Sequence, residues 1–306
     1  MGRRWVMLLG TLLGGCAMEV DGADVSASQQ AASRRASSAP AVAPKQTLVE
    51  GIETAENLLF TSDGRLFVSS DRGVFEIVQG DTDDYQASTL LETDVCAGGG
   101  LAQVDNTLYV NCYDFADSYL YAAELTATPA FEKIHDMPGM PLANGLAGHP
   151  DGYLFVADTL RGQIHRLSID EDDPMNVADQ EVWLSTSGLL TNGITYHAGS
   201  LYWTALATVR KAAIRPNGRP GRVETVVYLL TFFDDLYVDS ESIAATDYLG
   251  GRLVLFDHEG NRLQRTGLNF LEAPSAVLPS LGRLGLPDGS WVVTERGGGR
   301  LSLVTF

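Results

Sequence analysis

Short apolar runs separated by turn residues occur along most of the chain, and none has the spacing of an amphipathic helix. The clearest unit is the segment 142–167, LANGLAGHPDGYLFVADTLRGQIHRL. Asn-Gly, Pro-Asp-Gly and Arg-Gly divide it into three strand-length runs with turn chemistry between them. This segment is therefore predicted to form a three-stranded antiparallel meander.

The middle run of that meander recurs along the chain. Equivalent runs begin at residues 66, 108, 154, 201, 242 and 291, with spacings of 42, 46, 47, 41 and 49 residues. Six sheet-sized units of this length are typical of a β-propeller. A β-sandwich would explain the strands but not the period. The sequence therefore predicts an all-β, six-bladed β-propeller.

The two ends of the repeat array predict how the propeller closes. A strand-like run, Thr47–Ile52, precedes the first repeat, and the last repeat ends at Phe306 without a fourth strand. We expect Thr47–Glu50 to pair with Leu301–Thr305 and complete the last blade. This pairing would remove two exposed sheet edges at once.

The N-terminal segment has the pattern of an export signal. Arg3 and Arg4 precede a short apolar core within residues 1–15, which is too short to span a membrane. Residues 13–16, Leu-Gly-Gly-Cys, resemble a bacterial lipobox, which implies that Cys16 is lipidated. An ordinary cleaved signal is the alternative. Because Ala17 follows rather than Asp, the resemblance implies a lipid anchor in the cell envelope, at the outer membrane of a Gram-negative bacterium.

Composition divides the rest of the chain and limits its partners. Residues 16–46 are rich in Ala and Ser and are predicted to be a disordered tether, followed by a propeller over residues 47–306. The net charge is −18, and removal of residues 1–15 makes it −20. This charge argues against nucleic acid as a partner and against membrane contact other than through the lipid.

Two of the three cysteines fall in the second repeat. Cys96 and Cys112 lie near the ends of neighbouring predicted strands, in a chain with an export signal. Oxidising compartments favour disulfides, so we predict a Cys96–Cys112 bond. Two free buried thiols are the alternative.

Oxygen-bearing side chains recur where the first strand of each blade begins, the strand expected to line the central channel. Aligned in register, the six starts are Glu56-Asn57-Leu58, Gly99-Gly100-Leu101, Asn144-Gly145-Leu146, Asn192-Gly193-Ile194, Asp234-Asp235-Leu236 and Pro274-Ser275-Ala276. Four of them place Glu56, Asn144, Asn192 and Asp234 at one position. Two carboxylates and two amides suit Ca²⁺ better than Zn²⁺. The alternative is that Asn-Gly and Asp-Asp serve only as turn residues.

This register resembles the regucalcin/gluconolactonase family and, more distantly, the paraoxonases and the squid-type phosphotriesterase. The resemblance implies one axial calcium ion bound by Glu56, Asn144, Asn192 and Asp234. It also implies hydrolysis of a small-molecule lactone or ester, with Asp234 as the general base or nucleophile. Asn57 and Asp235 are the next candidates for metal ligands.

The second blade departs from that family, and two functions stay open. Sugar lactonases place an Arg and an Asn where this chain has Ala97–Gly100, and paraoxonases have a His pair in that blade. One hypothesis is a calcium-dependent hydrolase of lactones or related esters. The other is a non-catalytic cell-surface propeller with structural calcium, which binds a protein or glycan partner through the loops Tyr113–Tyr119 and Leu268–Leu286.

Overall fold

The computed structural model describes residues 44–80, 84–93, 97–186 and 190–306, which form a six-bladed β-propeller. The all-β prediction is confirmed: within these ranges, 24 strands build six four-stranded antiparallel sheets, accompanied by one 3₁₀ turn at Arg283–Gly285. None of the described residues belongs to a helix that could span a membrane. The predicted signal peptide, Cys16 and nearly all of the predicted tether lie outside the described residues.

Each blade is a meander that runs from the axis outwards. Blade one contains β2 (Leu58–Phe60), β3 (Leu66–Ser70), β4 (Gly73–Gln79) and β5 (Tyr85–Glu92). Blade two contains β6 (Ala97–Val104), β7 (Thr107–Tyr113), β8 (Ser118–Glu124) and β9 (Glu132–Met137). Blade three contains β10 (Ala143–His149), β11 (Tyr153–Asp158), β12 (Gln163–Ile169) and β13 (Val177–Ser185).

The remaining blades follow the same order. Blade four contains β14 (Thr191–His197), β15 (Ser200–Ala205), β16 (Thr208–Ile214) and β17 (Pro220–Tyr228). Blade five contains β18 (Phe233–Val238), β19 (Ile243–Asp247), β20 (Arg252–Phe256) and β21 (Arg262–Arg265). Blade six contains β22 (Pro274–Pro279), β23 (Ser290–Glu295), β24 (Arg300–Thr305) and, as its outer strand, β1 (Lys45–Glu50).

The predicted closure of the last blade is confirmed. Strand β1 pairs antiparallel with β24, with Lys45 opposite Val304 and Glu50 opposite Arg300. The strand begins at Lys45, two residues before the predicted Thr47. Blade six is therefore built from both parts of the chain, and the ring is closed by backbone hydrogen bonds.

The second strand of each blade is buried along its length because both of its faces pack against other blades. Six hydrophobic clusters fill the spaces between adjacent blades. Their largest fully buried side chains include Trp203, Tyr109, Phe67, Phe155 and Phe233. This double burial explains why these strands appear in the sequence as continuous apolar runs rather than as alternating patterns.

One predicted loop is wrong. The segment Leu268–Leu286 is not one wide loop, because it contains the inner strand β22, Pro274–Pro279. This agrees with the strand start predicted at Pro274, and it limits the loops to the residues on either side of β22.

Candidate functional site

The inner strands form a closed ring around the axis, and each begins with a two-residue bulge. In blade three, Asn144 and Gly145 lie between the paired residues Ala143–Asp158 and Leu146–Val156. Blades two, four, five and six have the same interruption. In blade one, Glu56 and Asn57 occupy this place and bond to the backbone of Ser69. The first bulge residues are Glu56, Gly99, Asn144, Asn192, Asp234 and Ser275.

We call these six residues the axial ring, and the end of the channel where they lie the mouth. The predicted register is confirmed for five blades and wrong by one residue in blade six. Pro274 pairs with Glu295, so the bulge there consists of Ser275 and Ala276. Five of the six ring positions therefore carry a polar side chain.

The glycines that follow Asn144 and Asn192 are required by space. A Cβ atom at Gly145 would lie 2.4 Å from the carbonyl oxygen of Asn192, and one at Gly193 would lie 2.1 Å from a carboxylate oxygen of Asp235. Neither glycine has a positive φ. The Asn-Gly pairs therefore mark the close approach of neighbouring inner strands, and they are not hairpin turns.

Asp234 is the most strongly held member of the axial ring. It is 6% exposed. Asn192 Nδ2 donates to Asp234 Oδ1, and Ser275 Oγ donates to Asp234 Oδ2 at 2.5 Å. The hydroxyl of Thr204 fixes the backbone carbonyl of Asp234 at 2.6 Å. Both carboxylate oxygens thus have a donor from a neighbouring blade.

Burial dominates the electrostatics of that carboxylate. Loss of solvent raises the pKa of Asp234 to about 7, although the hydrogen bonds from Ser275 and Asn192 act to lower it. A negative charge is therefore costly at this place when no positive charge accompanies it. A nearby cation would offset that cost.

Glu56 is held by a residue that the sequence did not point to. Arg296, in the turn after β23, donates from Nη1 to Glu56 Oε2, and its Nη2 lies 3.2 Å from Asp71 Oδ1. The Glu56 side chain is 8% exposed and that of Arg296 is 24% exposed. These contacts join blades one and six at the mouth.

Side-chain hydroxyls from the second strands hold the backbone of the axial ring in place. In blades one, four, five and six, a Ser or Thr near the end of the second strand donates to the first bulge carbonyl of the next blade. The pairs are Ser69–Gly99, Thr204–Asp234, Thr246–Ser275 and Thr294–Glu56. Asn111 and Ala157 hold the equivalent positions in blades two and three. Because these hydrogen bonds fix the backbone of the ring, the ring side chains extend from a rigid backbone.

Asn144 and blade two complete the ring in different ways. Asn144 is 8% exposed at the same register position as Asn192. In blade two, Gly99 has no side chain, but Asn111 Oδ1 lies 2.4 Å from where its Cβ would be. Asn111 is fully buried, and its side-chain nitrogen and oxygen have no hydrogen-bond partner among the described residues. Blade two thus supplies an unpaired amide from its second strand.

Asn57 and Asp235, the second bulge residues of their blades, line the channel below the ring. The inner strands surround a cavity of about 400 Å³ there, whose wall also includes Leu101, Leu146 and Ile194. Burial, with a smaller contribution from the charge of Asp234, raises the pKa of Asp235 to about 8. These two residues therefore belong to the channel wall beneath the ring.

The mouth has a charged sector and an apolar sector. The turn after the second strand lies at the mouth in every blade, because that strand runs back towards the start of the inner strand. Blades one and six place Asp71, Arg72 and Arg296 in this turn. Blades two to five each expose an apolar side chain in this turn: Phe115 (60% exposed), Leu160 (46%), Leu206 (42%) and Leu249 (72%). The turns of blades two and three also carry the exposed charged residues Asp114, Asp117 and Arg161.

Two tyrosines flank the mouth between these sectors. The charges of Asp71 and Asp234 act on both phenols, those of Tyr113 and Tyr248. Burial is the larger cause and raises the pKa of Tyr113 to about 12 and that of Tyr248 above its usual value. Tyr113 also packs edge-to-face on Phe115, with ring centroids 5.0 Å apart.

Only one of the two cysteines of the predicted disulfide lies among the described residues. Cys112, at the end of β7, is disulfide-bonded. Cys96 lies outside the described residues, so the Cys96–Cys112 pairing stays a prediction.

The axial ring carries oxygen ligands of the kind that a hard cation binds. Glu56, Asn144, Asn192 and Asp234 offer side-chain oxygens from four blades, and oxygen ligands are those that Ca²⁺ prefers. Among the described residues, no group of three or more His, Cys, Asp or Glu side chains is placed to bind a metal. A cation here would depend on the two amides as much as on the two acids. The costly charge of Asp234 and the all-oxygen set fit such an ion.

No protein-family model and no curated protein matches the sequence. Solved structures match by shape. A luciferin-regenerating enzyme superposes with a TM-score of 0.66 at 11% identity, over 86% of this chain and 95% of that one. Regucalcin from Agrobacterium tumefaciens, described as a calcium-binding protein, gives 0.64 at 15% identity, over 86% and 93%.

A third structure has a different setting. A chain in the crystal structure of a nidogen–laminin complex gives a TM-score of 0.58 at 16% identity, over 75% of this chain and 84% of that one. At these identities the likeness shows a shared propeller fold. The three neighbours include an enzyme, a calcium-binding protein and a component of a protein complex, so the fold accommodates both small molecules and protein partners.

Proposed function

We propose that this protein is a calcium-dependent hydrolase of lactones or related esters, with its site at the mouth of the propeller. The observation that carries the proposal is the axial ring, in which Asp234 is buried between donors from Asn192 and Ser275. A carboxylate fixed in this way, beside further oxygen ligands, is the arrangement expected for cation-assisted attack on a carbonyl.

Glu56, Asn144, Asn192 and Asp234 would hold the ion. Calcium when bound would polarise the ester carbonyl and stabilise the charge that develops on its oxygen. The residues themselves orient the reactive group. Ser275 and Asn192 fix both oxygens of the Asp234 carboxylate, and Thr204 fixes its backbone. As a general base, Asp234 would take a proton from the water that attacks the carbonyl and return it to the alkoxide as the ester C–O bond breaks. As a nucleophile, it would displace the alkoxide, which takes a proton from water, and water would then hydrolyse the resulting anhydride to free Asp234 and the acid.

The unpaired amide of Asn111 favours a polar ligand at blade two. A buried amide without a partner costs free energy, about 1–3 kcal/mol for each unsatisfied group. A substrate hydroxyl near Gly99 would donate to Asn111 Oδ1, the amide atom that lies beside that position. This supplies a polar contact in the blade where the glycine run had argued against one.

Exchange of Asp234 for Asn tests the catalytic role. The variant keeps the shape of the side chain but removes the charge, so turnover should fall by roughly 10²–10⁴-fold on any lactone or ester that the wild type hydrolyses. Asp136→Asn is the matched control, because Asp136 is an exposed carboxylate paired with Lys133 on an outer strand. Equal turnover in wild type and Asp234→Asn would remove Asp234 from the mechanism.

A non-catalytic binding propeller is the second candidate, and the Arg296–Glu56 ion pair favours it. The Arg296 guanidinium already neutralises Glu56, one of the four proposed ligands, so the ring needs less positive charge from a bound ion. In this case a protein or glycan would bind on the mouth face. A lactone and ester panel without turnover, together with Asp234→Asn lowering only the melting temperature, would favour this candidate.

The proposal includes a location in the cell envelope. We place the protein on the outer membrane of a Gram-negative bacterium, anchored through a lipid on Cys16. Cys16→Ser should abolish metabolic labelling with a radioactive fatty acid and release the protein into the soluble fraction. Unchanged membrane association in this variant would contradict the anchor.

A further inference from the structure

Arg296 joins two carboxylates at the mouth. Its Nη1 donates to Glu56 in the axial ring, and its Nη2 lies 3.2 and 3.3 Å from the two oxygens of Asp71. Arg296 comes from the turn that closes blade six, whereas Glu56 and Asp71 belong to blade one. The three side chains form one network across the seam between these blades.

Charge explains why such a network is needed. Glu56 is nearly buried, and Asp71 and Asp234 also lie at the mouth. Among the described residues, Arg296 is the cationic side chain in contact with Glu56. An unpaired carboxylate in this position would be strongly destabilising, since breaking a buried ion pair typically leaves an uncompensated charge.

The position of the guanidinium also matters for a metal ion. Arg296 Nη1 contacts Oε2 of Glu56, one of the two oxygens that this ring carboxylate could offer to a cation. A guanidinium and a divalent cation on the same buried carboxylate repel each other strongly, whichever oxygen the cation takes. The two cations therefore compete for Glu56.

We propose that Arg296 is the built-in counter-ion of the axial ring, which neutralises Glu56 in the absence of a divalent cation and yields Glu56 when one binds. Arg296 thereby sets the cation affinity of the site. The second part of this inference rests on the proposed function, because it assumes that the ring receives a cation. The contact with Asp71 keeps the displaced guanidinium at the mouth.

The direct test compares Arg296→Met with wild type in the full-length protein stripped of metal. Titration calorimetry with calcium chloride should show an affinity at least tenfold tighter in Arg296→Met, because the competitor is gone. The melting temperature in chelator should fall, because Glu56 is left unpaired. Calcium should restore it. Arg72→Met, in the equivalent turn of blade one and paired with exposed Glu53, should change neither quantity.

A double variant separates pairing from general damage. If Arg296 acts through Glu56, then Glu56→Gln with Arg296→Met should melt in chelator close to Glu56→Gln alone. Arg296→Gln replaces Arg296→Met if the latter does not fold, since an amide can still donate to Glu56. Unchanged or weaker calcium affinity in both folded Arg296 variants would overturn the inference.

The same titrations judge the proposed function separately. Calcium binding by the wild type supports the calcium site, and its absence removes that site from the native protein. Gain of calcium binding in Arg296→Met when the wild type binds none would support the counter-ion role while refuting the calcium-dependent hydrolase. Failure of one conclusion is therefore visible apart from the other.

Discussion

Asp234 shows how a few side-chain contacts fix the geometry of a buried carboxylate. Its carboxylate accepts hydrogen bonds from Asn192 and Ser275, and its backbone carbonyl accepts one from Thr204, so the two neighbouring blades hold it in place. Each donor is a short side chain at a fixed register position of a strand. Such a side chain has few rotamers to lose, so the cost of ordering it is small. The geometry is therefore set before any ligand arrives.

A buried histidine far from the ring gives a prediction at the same scale. His165 on β12 is 4% exposed, and neither ring nitrogen has a partner among the described residues. Burial, assisted by the charge of Arg161, lowers its pKa to about 4 from an ordinary 6.5. Between these values the unfolded chain binds a proton that the folded chain does not, so stability falls as pH falls from 6.5 to 4.

The expected loss from His165 is up to about 1.4 kcal/mol for each pH unit in that window. His165→Leu should therefore have a smaller difference in melting temperature between pH 7 and pH 4.5 than the wild type. Partly exposed His197 serves as the control in His197→Gln, which should keep the wild-type difference. Identical acid sensitivity in wild type and His165→Leu would show that His165 is not the group responsible.

At the scale of elements, the last blade depends on a buried carboxylate. Glu295 at the end of β23 is fully buried and accepts hydrogen bonds from Arg300, Ser302 and Lys45. It also accepts the backbone N–H of Glu272 at 2.6 Å. Burial acts to raise the pKa of Glu295, but these donors outweigh it and hold the pKa below its usual value. The cluster fastens β1, β23 and β24 together where the ring closes.

Glu295→Gln should destabilise the propeller by about 3–5 kcal/mol, the cost of leaving buried partners of a broken ion pair uncompensated. Chemical denaturation would measure it as a lower midpoint with an unchanged slope. Glu272→Gln is the matched control. Glu272 also pairs with Arg300, but its side chain is 60% exposed, so its loss should cost less than about 1 kcal/mol. Equal losses of stability in the two variants would contradict the role of Glu295 in holding β1, β23 and β24 together.

The sequence predicts elements well where the repeat constrains them. Six apolar runs at a near-constant period identify the six second strands, and the unpaired run at Thr47 identifies the closing strand. Blade six was misaligned by one residue because Pro274 and Ser275 both suit the start of an edge strand, and only the pairing of Pro274 with Glu295 decides between them. The predicted loop Leu268–Leu286 was too long, because it included the inner strand that begins at Pro274.

The axial ring was only partly predictable from the sequence. Glu56, Asn144, Asn192 and Asp234 stand at equivalent repeat positions, so alignment of the repeats finds them. Arg296 lies 240 residues from Glu56 in the chain, and nothing in the local pattern links the two. Alignment of the turns after the second strands shows an apolar residue in blades two to five that blades one and six lack, but charged residues occur in blades two and three as well, so it does not single out Arg296.

At the scale of the molecule, the mouth is divided between those two sectors. Four adjacent blades expose Phe115, Leu160, Leu206 and Leu249 on the face that carries the axial ring. Covering such side chains is favourable, because removing apolar surface from water lowers the free energy by roughly 25 cal/mol per Å². A ligand with an apolar portion would cover them while its polar end reaches the ring.

The proposed hydrolase should therefore prefer esters with longer acyl chains. From acetate to octanoate esters, kcat/KM should rise by up to about fourfold per methylene, which corresponds to ~0.8 kcal/mol per buried CH₂. Leu249→Ser should flatten this series. Leu263→Ser, which changes a 54% exposed leucine on the outer strand β21, should leave it unchanged. A series without dependence on chain length would exclude a role for the apolar sector.

The direction of β1 determines at which rim of the propeller the N-terminal part of the chain is attached. Lys45 pairs with Val304 and Glu50 with Arg300, so β1 runs towards the mouth and the chain enters it from the opposite rim. A propeller captured on a sensor chip or bead through a tag placed directly before Lys45 is thus held by the rim opposite the mouth. The mouth then faces the bulk liquid, where even a bulky macromolecule can reach it. Capture through a surface lysine would give no such uniform orientation.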